Sequence, residues 1–67
     1  MMKTPVQAVD RIMECSDLMQ GMTDVIADVF DEVDPKYLRD TLYEYDPKDC
    51  LEAAAKAMAL FMINELD

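Results

Sequence analysis

Residues 5–33 read PVQAVDRIMECSDLMQGMTDVIADVFDEV, and the spacing of the apolar side chains in this stretch decides the fold class. Counted in sevens, one position is Ile12, Met19, Ile26 and Val33, and another, three residues on, is Ala8, Cys15, Met22 and Val29. These are the a and d positions of a heptad pattern, the signature of a helix with one buried seam. The position facing away is Asp10, Asp17, Asp24 and Asp31, and its neighbour is Gln7, Glu14, Gly21 and Asp28. The phase does not slip across Gly21, so one helix over about 5–33, bent at most at Gly21, is expected. Gly21 costs such a helix about 1 kcal/mol relative to alanine. A turn at Gly21 and a new helix started by Met22-Thr23-Asp24, with Thr23 as its cap, is the alternative.

Outward from this stretch, the prolines set the punctuation. Thr4-Pro5, Asp34-Pro35 and Asp46-Pro47 each place a capping side chain before a proline. Proline loses nothing at the first helical position, and the preceding oxygen can accept from the first-turn amides. Three starts predict three helices, about 5–33, 35–45 and 47–66. The second would bury Leu38, Leu42 and Tyr45. The third would turn Leu51, Ala54, Ala55, Met58, Phe61 and Met62 inward, its alanines permitting close helix approach. No segment alternates with the period of a half-buried strand. The expectation is a single all-α domain over 1–67: a small three-helix bundle with a long N-terminal helix, dimeric.

The dimer follows from length. A helix of about 29 residues is ~43 Å long, whereas a compact chain of this size has a diameter under ~30 Å. The overhang would be apolar, so two chains are expected to pair through Ile12, Met19, Met22, Ile26, Val29 and Val33. A 67-residue chain also needs a supplement to its small core. Its two cysteines, Cys15 and Cys50, have no metal-ligand spacing, and it has no histidine. Without a secretion signal they read as free thiols in a reducing, cytoplasmic setting. Core filling is the expectation for the methionines.

Fifteen acidic against six basic residues give a net charge of −9. Such a chain is repelled by nucleic-acid backbones and anionic membranes, so neither is an expected partner. A basic surface on another protein is. With 52% hydrophobic residues in periodic array, disorder is disfavoured.

Reaction chemistry is largely struck out by composition. Without histidine there is no Ser-His or Cys-His pair and no Glu-x-x-His di-iron motif. One glycine cannot build a phosphate-cradling loop, and the acidic run Asp28 to Asp34 has neither the ligand spacing nor the central glycine of an EF-hand. Ser16 lies mid-helix in Cys15-Ser16-Asp17-Leu18, unlike the helix-start serine of small acidic carrier proteins. The expected function is therefore non-catalytic, with no metal or cofactor. It is a small regulator or inhibitor acting by protein–protein contact, with phage origin an association from size and charge alone. The alternative is a structural or adaptor subunit.

Two surfaces are candidates for that contact. The first is the acidic ridge Asp10, Glu14, Asp17, Asp24, Asp28 and Asp31, which is either a solvated face or a partial imitation of a nucleic-acid backbone. Six charges over ~32 Å are about one per 5 Å, thin beside the one per ~1.7 Å of duplex DNA. The second is the short helix, with Tyr37, Arg39 and Tyr43, residue types enriched at interface hot spots.

Overall fold

The structure, a computed structural model, describes residues 4–66 with their side chains, apart from that of Met19. Four α-helices follow in order: α1 (Pro5–Glu14), α2 (Met22–Glu32), α3 (Pro35–Glu44) and α4 (Cys50–Glu65), with a 3-10 segment, Ser16–Gly21, between α1 and α2. No strand occurs among the described residues.

The expected long first helix is not formed. The chain leaves α-helical geometry at Cys15, whose N–H is shared between the carbonyls of Arg11 and Ile12 at 3.2 Å each. Leu18 N–H then donates to Cys15 O at 2.9 Å, a tighter closure than an α-turn. Each half of the heptad stripe is helical, but six residues at three per turn swing the second half away from the line of the first. The cause is burial. A straight helix would leave half its stripe in water, whereas the folded-back pair sets Ala8, Val9, Ile12 and Met13 of α1 and Met22, Ile26 and Val29 of α2 into one core. Gly21 is not a hinge in the left-handed sense, since its φ is −89°.

The caps at Thr4 and Asp34 form as expected. Thr4 and Gln7 make a reciprocal capping box, and Asp34 accepts from Lys36 N–H at 2.9 Å. Helix α4 begins three residues later than Pro47 implied. Asp49, not Asp46, is its cap, accepting from Glu52 N–H at 2.9 Å. Asp49-x-x-Glu52 carries the spacing of a capping box, a signal that the Asp-Pro dipeptide outweighed in the sequence. The Glu52 carboxylate reaches back to Lys48 N–H (3.0 Å) and the Tyr45 hydroxyl, which closes the α3–α4 connection.

Thirteen buried hydrophobic residues from all four helices form a single cluster, with no polar residue buried among the described residues. Leu38 and Leu42 of α3 are fully buried, as their spacing implied. On α4 the inward face is Ala55, Ala59 and Ile63, whereas Leu51, Ala54 and Phe61, expected inside, are exposed. A helix apolar nearly all round carries no phase information, and its orientation is decided by neighbours. The molecule measures 28 × 25 × 23 Å with a radius of gyration of 10.5 Å. No element overhangs, so the length argument for pairing loses its premise.

Candidate functional site

Each surface singled out in the sequence is rearranged by the break between α1 and α2. On α2, Asp24, Asp28 and Asp31 stand at four- and three-residue spacing and share the face opposite Ile26 and Val29. All three are exposed, as is Asp17 on the 3-10 segment. Asp10 and Glu14 are exposed too, but they line a separate cleft of about 220 Å³ with Tyr45, Lys48 and Glu52. The six acids thus form two groups, and a straight row of ~32 Å does not fit a molecule 28 Å long. Among the described residues none of the six forms an ion pair.

The short helix α3 likewise separates its three candidates. Successive residues turn about 100°, so Tyr37 and Tyr43 flank the buried Leu38–Leu42 ridge from opposite sides. Both rings are exposed, whereas Arg39 is half-buried and already engaged in an interaction. Of the residues expected to mediate self-association, Ile12, Met22, Ile26, Val29 and Val33 are at most 4% exposed and belong to the protomer's own core. The side chain of Met19 lies outside the described residues.

A surface the sequence reading missed lies where the 3-10 segment meets α4. Leu51, Ala54, Ala55 and Met58, at three- and four-residue spacing, form one wall of a groove of about 110 Å³, with Met22 and Ser16 opposite. Apart from Ser16 the lining is apolar, and small Ala54 leaves the opening. Around it, Leu18 (53% exposed), Leu51 (40%) and Phe61 (64%) present apolar surface to solvent. The signal was present in the sequence as the charge-poor run from Ala53 to Asn64, interrupted only by Lys56.

The elements on either side of the groove differ in charge. No Lys or Arg stands between Arg11 and Lys36, so the 3-10 segment and α2 carry exposed aspartates and no basic residue, with Asp24 on the face of α2 turned away from Met22 and the groove. On the α4 wall, the Lys56 ammonium is drawn away towards α3, donating to the carbonyls of Tyr45 (2.7 Å) and Tyr43 (3.5 Å). Those carbonyls belong to the C-terminal end of α3, where a cation is favoured by the helix dipole.

Among the described residues no group of three or more Cys, Asp or Glu side chains is arranged to hold a metal ion, and no helix is long and apolar enough to cross a membrane. Cys15 is half-buried and Cys50 exposed, both as free thiols. No protein-family model, curated protein or solved structure matches this chain.

Proposed function

We infer that this protein works without chemistry of its own, as a small regulator or inhibitor that binds another protein through a basic surface on that partner. The observation that carries the reading is the uncompensated acid of Asp17, Asp24, Asp28 and Asp31 on a stretch devoid of basic residues. Acids held unpaired on one side of a small domain raise the encounter rate with a cationic partner. A nucleic-acid-binding protein offers such a surface, and occupying it would exclude its nucleic acid. The test is capture of partners by the tagged chain from its host lysate, with and without nuclease, at low and high salt. Recovery of a nucleic-acid-binding protein that rises with nuclease and falls steeply with salt supports the reading. Recovery indifferent to both sinks it.

The second reading is a structural subunit that pairs with a copy of itself. It is favoured by the outer face of α4, where Ala53, Ala57 and Phe61 are exposed in a row free of acid. Small residues beside one bulky ring suit an antiparallel pairing of two such helices. Light scattering at tens of micromolar separates the readings: a monomer mass removes the second.

A further inference from the structure

We propose that the cleft running along α1, between that helix and the α3–α4 connection, seats a helical segment of the partner that carries an apolar and a basic side chain one turn apart. The proposal rests on the reading that the partner is cationic, and it specifies the site and the element that fills it.

Two adjoining cavities make the cleft. In the first, of about 210 Å³, Val6, Val9 and Asp10 of α1 face Thr41, Glu44 and Tyr45 at the end of α3. In the second, of about 220 Å³, Asp10, Met13 and Glu14 face Tyr45, Lys48 and Glu52. Asp10 and Tyr45 line both, so the two are continuous, but their chemistry differs. The first is walled mainly by apolar atoms, with Val6 61% exposed at its edge. The second is walled mainly by polar ones. Val6, Asp10 and Glu14 follow at four-residue spacing along α1, so the apolar and acidic ends lie about 6 Å apart, close to one turn of a guest helix.

Charge selects the occupant. Four acids line the cleft, Asp10, Glu14, Glu44 and Glu52, against Lys48 alone, and Lys48 has exposed Asp46 and Asp49 beside it in the chain. Glu52 already holds the Tyr45 hydroxyl and Lys48 N–H. The side chains of Asp10, Glu14 and Glu44 make no hydrogen bond or ion pair among the described residues. A nucleic acid or an anionic membrane is repelled by such a lining, and a second copy of this chain brings another −9. A partner helix with a basic residue meets Asp10 and Glu14, while its apolar neighbour one turn away covers Val6.

The probe is a synthetic alanine-rich helical peptide with one leucine and an arginine four residues to either side of it. Its isomer, of the same composition, has the arginines two residues from the leucine and so on the opposite face. Each is titrated into isotope-labelled protein and followed by the backbone amide shifts. Two double variants carry the same charge change: Asp10→Asn with Glu14→Gln in the cleft, and Asp24→Asn with Asp28→Asn on α2. All four positions are exposed, so the variants are expected to fold, which circular dichroism checks.

The ordered peptide is expected to shift amides of α1 and of the α3–α4 connection and to bind more tightly than its isomer. It should lose about ten-fold in affinity with the cleft variant and less than about two-fold with the α2 variant. Equal loss in both variants, equal binding of the two peptides, or no binding overturns the proposal. If the α2 variant alone weakens binding, the cleft is wrong while the cationic partner stands. Lysate capture indifferent to salt would instead overturn the functional reading, and this proposal with it, even where the peptide binds.

Discussion

The hydroxyl of Tyr45, just past the last residue of α3, donates to the Glu52 carboxylate in the first turn of α4 at 2.5 Å. The same carboxylate oxygen accepts from Lys48 N–H, so one side chain anchors both ends of the connection between the two helices. The bond to Glu52, partial burial, and the negative charges of Glu52, Asp10 and Asp49 together push the Tyr45 hydroxyl from 10.0 up to about 12. The protonated phenol is therefore favoured by folding. Its stabilising effect is complete below pH 10 and is lost as pH rises through 12. Tyr45→Phe is expected to lower the melting temperature at neutral pH and to remove that part of the alkaline loss of stability. In a Tyr37→Phe, Tyr43→Phe background, Glu52→Gln should move the tyrosinate absorbance step back towards 10. An unmoved step would show that Glu52 is not the cause.

Helix α4 presents a sharp contrast between two apolar residues. Ile63 is 2% exposed and Phe61 64% exposed. Ile63→Ala is expected to cost about 2–5 kcal/mol, a large share of the ~3–10 kcal/mol that a chain of this length has in total. Phe61→Ala should change stability by no more than about 0.5 kcal/mol. Urea denaturation measures both, and a reversed order would mean that α4 is turned the other way.

Gly21 leaves room for a side chain. Its φ is negative, and an added Cβ would meet only Leu18, at 3.7 and 3.9 Å, ordinary contact distances. Gly21→Ala is expected to stabilise by about 0.4–1 kcal/mol, through loss of freedom in the unfolded chain. A fall in melting temperature would contradict the backbone conformation assigned there.

Asp31 lies in the last turn of α2, three residues after Asp28, at the helix end that disfavours anions. Asp31→Lys should stabilise the free protein by about 0.5–1 kcal/mol at low salt, with the gain fading as salt is added. Under the proposed function the same substitution weakens the partner complex. A rise in stability with no loss of binding would separate Asp31 from the contact surface.

Much of the architecture was legible because it rests on short-range chemistry. Thr4-Pro5 and Asp34-Pro35 start helices by local hydrogen bonding, and Leu38 with Leu42 mark a face four residues apart. What was not legible depends on distant parts of the chain. The seven-residue count runs through Ser16–Gly21 unbroken, yet only the core supplied by α3 and α4 decides that the chain bends there. The candidate site suffered for the same reason. Leu51, Ala54 and Phe61 read as core because apolar composition does not say which side of a helix finds a neighbour.

Helices α1, α3 and α4 each start on a side-chain oxygen, from Thr4, Asp34 and Asp49, whereas α2 starts on Gly21 with none. The first amides of α2 consequently have the least to hold them, and in deuterium exchange they should be the earliest helix-start protons lost. Met22 lies in that turn, so the groove wall that opens most cheaply is the one formed by α2. The groove can then widen by breathing of that single turn, with α1, α3 and α4 keeping their packing.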